Sequence, residues 1–300
     1  MYKTPGERFE IANHVIRIFD LIENSSCLER IIEFLKKSDD AVLIWECLKA
    51  ITVFCCGPRI ANTPENSNLH PDKFYHRAIL VQKDIIPTIM KFIGSQCLEV
   101  KRQAILALGF LCRGCADIRD FVVSLGGAGS LLELVDEKMD IEDGQCVSWT
   151  LSILSGNTLR NAALFEISLV LDFVRAFTFF LYWKDDIDII INSLLGLSYL
   201  LPLVELNLEN QDLWKRITMM LTHNATLVKR AAMNCVRKIV LHNDLQAQYM
   251  VEGGVILMIS ELLNYNNIHV KCEACEIISV LAGKGYTWVK KLFEKSFKFD

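Results

Sequence analysis

The sequence predicts an all-α solenoid of about six stacked helical repeats. Apolar residues recur at helical spacing along nearly the whole chain, and no stretch of the 300 residues alternates as a half-buried strand would. Sets of a shorter and a longer apolar helix return at a fixed period. Hydrophobic residues make up 52% of the chain, and the mean hydropathy is +0.28. That is more apolar surface than separate helices could hide, so neighbouring units must bury it for one another.

The repeats fall near 31–57, 85–114, 127–157, 170–201, 213–244 and 254–285. Equivalent apolar positions are Ile51, Leu108, Leu151, Leu197, Val236 and Ile278, with successive spacings of 57, 43, 46, 39 and 42 residues. A helix-only period of about 40–47 residues belongs to the armadillo and HEAT solenoids. The outlying spacing has a local cause. Residues 58–73 hold Pro58, Pro64 and Pro71 and several Asn and Ser, so they read as a loop inserted in the first repeat. GGAG at 126–129 and EGG at 252–254 lie where one helix turns sharply into the next, in FVVSLGGAGSLLELV and YMVEGGVILMISELL. Small residues permit such a bend. HEAT units are plain hairpins, so these turns favour a right-handed armadillo superhelix over residues 31–285. Residues 1–30 then form an N-terminal helical cap and residues 286–300 a C-terminal tail.

Composition excludes several functions. A net charge of −4 and a pI near 5.9 leave no basic stripe for nucleic acid. The most apolar segment, ISLVLDFVRAFTFFLYW at 167–183, is interrupted by Asp172 and Arg175 and is too short for a membrane span. It reads as a buried helix, and the N-terminus carries no secretory signal. The eleven cysteines lie scattered in apolar runs, as reduced thiols do. Two C-x-x-C pairs, Cys112/Cys115 and Cys272/Cys275, are 157 residues apart and do not combine into a metal site. The histidines are dispersed, and no nucleophile elbow, phosphate loop or dinucleotide fingerprint is present. The acidic run DEKMDIED at 136–143 lacks the glycine and alternation of a calcium loop and reads as a solvated linker. No catalytic, cofactor or metal site is therefore expected.

Residues 100–135, VKRQAILALGFLCRGCADIRDFVVSLGGAGSLLELV, resemble the repeats of importin-α, the nuclear import adaptor family. WTLSIL (149–154), LGLSYL (195–200), QAQYMVEGGVILMISELL (246–263) and VKCEACEIISVLAG (270–283) continue the likeness in register. The resemblance implies that the third helix of each repeat lines a concave groove. A Trp and an Asn four residues later would hold a cargo peptide there, the Asn by its backbone and the indoles by the stems of its basic side chains.

Carried over position by position, that ladder falls on Lys49 and Val53, Leu106 and Phe110, Trp149 and Ile153, Leu195 and Tyr199, Asn234 and Lys238, and Glu276 and Val280. One Trp remains and no Asn in the second position. The family's acidic lysine reader would fall at Gly114, and the opening segment holds only Lys3, Arg8, Arg17 and Arg30 where the family recruits importin-β. Leu106, Phe110, Trp149, Ile153, Leu195 and Tyr199 would make an apolar stripe, and a stripe of that size needs an occupant. An apolar or helical peptide would cover it, or the superhelix would close or dimerise over it. The resemblance thus implies an adaptor that binds cargo peptides and works in cytoplasm and nucleus, with importin-β as a second partner. The alternative is an armadillo scaffold for other protein–protein interactions, in which binding of the basic nuclear signal is lost.

Overall fold

A computed structural model describes residues 26–56, 84–156, 166–204 and 211–283. The inserted loop 58–73, the tail 286–300 and all but the end of the expected cap lie outside the described residues. The rest is helical, with no strand among the described residues. The helices gather into two compact units, divided between Glu133 and Leu134 just ahead of the acidic run.

In the first unit α1 (Cys27–Lys37) packs on α2 (Ala41–Cys56), and α3 (Ile85–Met90) packs on α4 (Leu98–Cys112). The two long helices α2 and α4 stack directly on each other. Ile51 and Leu108 are fully buried, and Gln103 Nε2 donates to the Thr52 hydroxyl at 2.7 Å. α5 (Ala116–Ser124) and α6 (Gly127–Leu132) then begin the next repeat.

The second unit opens with α7 (Ile141–Ser155), followed by α8 (Ile167–Trp183), α9 (Ile187–Leu200), a 3-10 turn at Leu201–Leu203 and α10 (Gln211–Met220). α11 (Thr226–His242), α12 (Asp244–Glu252), α13 (Val255–Leu262) and α14 (Ile268–Gly283) complete it. The third helices α7, α9, α11 and α14 stack in series, each on the next. The segment 167–183 forms α8, and it buries Phe173, Phe177 and Phe180 completely against the stack. Each such ring contributes about 1.5–3 kcal/mol of apolar burial. No helix among the described residues is long and apolar enough to cross a membrane.

Local chemistry explains where these helices start. Asp140 accepts from the Asp143 amide at 2.8 Å at the head of α7, and Asp186 accepts from the Ile189 amide at 3.0 Å at the head of α9. Asp40 and Asn267 cap α2 and α14 in the same manner. Each such cap stabilises its helix by about 1 kcal/mol. Buried hydroxyls on the stacked helices turn back to their own backbone, as Thr52 does to the Leu48 carbonyl and Ser193 to the Ile189 carbonyl. The small side chains thereby fill the helix contact without leaving an unpaired donor.

The expected sharp turns are visible in the backbone. Gly126 stands at φ +81° between α5 and α6, and Gly254 at φ +89° between α12 and α13. Both lie in the left-handed region, which costs an L-residue about 1–2 kcal/mol. At the head of α3 the same conformation falls to Asp84, at φ 55°. Of the equivalent apolar positions, Leu151, Leu197 and Val236 are fully buried. Ile278 in α14 is half-buried, while its neighbour Ile277 is fully buried. Thr150, Gly196 and Cys235 are buried at the place equivalent to Ile277, so α14 keeps the register, and Ile278 is less covered where no further third helix packs on α14 among the described residues.

Gly254→Ala is expected to lower the unfolding free energy by about 1–2 kcal/mol through strain alone, because nothing lies within 4 Å of the added Cβ. Gly196→Ala is expected to cost at least as much by overlap, because its Cβ would stand 2.3 Å from the Phe177 ring. Urea unfolding of both variants measures the two losses. Burial pushes the Cys235 thiol up to about 12 from 9.0, with the Lys238 charge opposing. In that window the folded chain keeps a proton that the unfolded chain releases. This contribution is therefore intact below pH 9.0 and is lost as the pH rises toward about 12. Cys235→Ala should flatten the fall in unfolding free energy over that range, and maleimide should label the exposed Cys272 and Cys275 well before Cys235.

Candidate protein-binding face

Each third helix is buried on the sides that meet its neighbours and keeps one narrow strip toward solvent. In α7 that strip carries Trp149 and Ile153, in α9 Leu195 and Tyr199, and in α11 Asn234 and Lys238. All six are half-buried, neither core nor free surface. In α14 Glu276 is exposed and Val280 half-buried. The first unit presents its own pair of strips, with Leu106 and Phe110 half-buried on α4 and Lys49 and Val53 exposed on α2. The expected apolar stripe from Leu106 to Tyr199 therefore draws on two units, two residues on the first and four on the second.

Within the second unit the face changes character along the stack. On α7 and α9 it is aromatic and aliphatic, with Asn192 Nδ2 donating to the Ser148 hydroxyl at 3.2 Å beside it. On α11 and α14 it is charged. Arg230 donates through Nε and Nη2 to one oxygen of Glu273 at 3.1 and 3.0 Å, and Arg237 Nη2 donates to Asn234 Oδ1 at 3.2 Å. These residues, with Met233 and Glu276, line a cavity of about 450 Å³. The second oxygen of Glu273 is buried and has no hydrogen-bond partner among the described residues. It offers an acceptor to any donor that enters, since an unpaired buried acceptor costs free energy.

The Lys238 ammonium turns back onto the preceding repeat. Nζ lies 3.6 Å from the centroid of the Tyr199 ring and donates to the Ser198 hydroxyl at 3.2 Å. A cation over a partly desolvated tyrosine is worth about 0.5–2 kcal/mol. Burial holds the Lys238 amine below the usual lysine range; the nearby Cys235 opposes this and the Arg237 charge adds to it. The aromatic slot on α9 is thus filled by a cation of the chain itself.

The sequence reading placed Trp149, Ile153, Leu195, Tyr199, Asn234, Lys238 and Glu276 on stacked third helices, and the structure brings them onto one series of helices. It missed Arg230, Arg237 and Glu273, which stand beside the ladder positions on the same helices. Their signal was the helical spacing from Asn234 and Glu276, one turn away. Among the described residues no group of three or more His, Cys, Asp or Glu is placed to hold an ion.

No protein-family model matches the sequence. The chain is 25% identical over 256 residues to importin subunit alpha-1b of Oryza sativa subsp. japonica, covering 84% of this chain and 44% of that protein. It is 24% identical over 259 residues to importin subunit alpha-1a of the same plant, covering 85% and 45%. A shorter match of 131 residues at 27% identity, covering 44% and 22%, is to importin subunit alpha-6 of Arabidopsis thaliana. The chain spans less than half the length of these curated relatives. Among solved structures it is similar to a designed armadillo repeat protein in complex with the peptide (KR)4, at TM-score 0.68 and 16% identity, over 84% of this chain and 98% of that one. A second designed armadillo repeat protein aligns at TM-score 0.67 and 16% identity over 85% and 99%. The chain has the all-α armadillo-repeat fold, and its sequence is similar to importin-α subunits at about a quarter identity.

Proposed function

We propose that this protein is a binding adaptor that holds peptide segments of other proteins along the solvent strips of its third helices, and that it serves nuclear protein import between cytoplasm and nucleus. The observation that carries this reading is the row of half-buried side chains at equivalent positions on α7, α9 and α11. A core residue would be covered there, and on α7 and α9 a solvated face would be polar where Trp149, Ile153, Leu195 and Tyr199 stand. The sequence likeness to importin-α subunits and the fold shared with a peptide-bound designed protein support it. In an import complex the protein partners are cargo and an importin-β. The opposing reading, a scaffold for other interactions, is favoured by Lys238 over Tyr199. That cation fills the ring against an incoming lysine and repels it as well, so a basic signal meets a poor site.

Fluorescence anisotropy with (KR)4 and with an uncharged leucine-rich peptide tests which segments the face takes. The leucine-rich peptide should bind more tightly, and Trp149→Ala should weaken it by about tenfold, or about 1.4 kcal/mol. Micromolar (KR)4 binding that is indifferent to Trp149→Ala would remove the third-helix face as the site. Lys238→Asn empties the Tyr199 ring and deletes a charge, so it should strengthen (KR)4 binding by roughly tenfold. No gain would show that Lys238 does not set specificity. Co-purification with an importin-β from cells, together with nuclear delivery of a bound reporter, would support the import role over the scaffold.

A further inference from the structure

The turns that lead into the third helices of the second unit carry a feature separate from the peptide face. Ile141, Ile187 and Ile268 are the first residues of α7, α9 and α14, and Leu227 is the second residue of α11. They are 46%, 44%, 66% and 61% exposed. One exposed apolar side chain is ordinary, but Ile141, Ile187 and Ile268 hold one register at the heads of α7, α9 and α14, and Leu227 stands one residue later at the head of α11, so each third helix of this unit opens on an exposed apolar side chain. The first unit by itself also exposes an apolar side chain at each long-helix head, with Leu98 at 45% as the first residue of α4 and Val42 at 71% as the second of α2.

This row of the second unit is built on bonded turns. Trp183 Nε1 donates to the Glu137 carbonyl at 3.3 Å, and Gln145 Nε2 donates to Asp186 Oδ2 at 3.1 Å. His223 Nε2 lies 3.6 Å from Asp185 Oδ1, and the Thr226 and Tyr265 hydroxyls share a hydrogen bond of 3.0 Å. Around the first two rungs the exposed charges are unbalanced: Asp136, Glu137, Asp140, Glu142, Asp185 and Asp188 stand against Lys138 and Lys184. Each helix N-terminus returns only about half a positive charge, so the edge stays negative.

We propose that this edge docks a cationic amphipathic helix of another protein. The acidic flank selects the charge of the occupant and repels phosphate-bearing partners, membranes included. It also disfavours a second copy, because a two-fold contact would set the same acidic turns against each other. Stacked helices stand about 8–10 Å apart, so the rungs repeat at that interval. Residues seven apart on a helix are separated by about 10 Å, which fits one apolar side chain per rung with lysines or arginines between.

The test uses the full chain and a synthetic lysine-rich helical peptide with leucine at heptad spacing, and a scrambled peptide of the same composition, read by anisotropy. Binding in the micromolar range that weakens as salt is raised is expected. The double variant Ile141→Ser/Ile187→Ser should weaken it at least tenfold, as should Glu142→Lys/Asp188→Lys. Trp149→Ala should leave it unchanged, which separates this edge from the peptide face. Both rungs are half-exposed, so an unchanged melting curve is expected to confirm folding of the serine variant, and the charge variant gives a second reading. Equal binding of the scrambled peptide, or wild-type affinity in both double variants, would overturn the proposal. So would loss of binding in Trp149→Ala, or sedimentation of the wild type as a dimer that the serine variant disperses.

Discussion

The rest of the structure depends on the two-sided burial of each third helix. In α9, Ile189, Ile190, Leu194 and Leu197 are wholly covered, and so is Ser193. α7 and α8 pack against this helix from its own and the preceding repeat, and α11 from the following one. A helix this apolar could not stand in water alone, so each repeat is stable only as a member of the stack. The same burial leaves a single strip per helix open to solvent. A side chain on that strip is held by a rigid, close-packed support, and function has few other places on these helices to reside.

That constraint explains what could be read in the sequence. The period, the helix at 167–183 and the glycine turns follow from local rules, and the structure has them at Ile167–Trp183, Gly126 and Gly254. Asp84 takes the glycine conformation at the head of α3, which no composition rule announces. The strip positions were legible because they follow from register once the buried positions are known. What each strip residue does was not legible. Lys238 reads as a groove-facing cation, and its return to Tyr199 depends on a neighbour 39 positions away in sequence. The charged cavity near Asn234 escaped for a similar reason. Arg230 and Glu273 meet only when α11 and α14 stack.

The second unit thus carries a graded face. Trp149, Ile153 and Leu195 offer dispersion and little else, while Arg230, Arg237, Glu273 and Glu276 offer direction and charge. An extended peptide proposed to lie on such a face would meet apolar contacts at one end and paired charges at the other, which would give it polarity and register. Tyr199 marks the change, with an aromatic ring on the apolar side and the Lys238 ammonium over it from the charged side.

The exposed residues at the heads of the helices belong to the same logic of repetition. A position repeated in a solenoid is displayed as a row, whether or not it is buried. Selection for stability accounts for the buried rows, since Leu151, Leu197 and Val236 each seal a helix contact. It does not account for Ile141, Ile187, Leu227 and Ile268, because a polar residue at a helix start would serve the stack equally well. The caps show this directly: Asp140 and Asp186, one residue earlier, are polar and complete their helices by hydrogen bonds. The isoleucines beside Asp140 and Asp186 complete no cap, and a little under half of each stays open to solvent. That open apolar area is what the proposed amphipathic helix would cover.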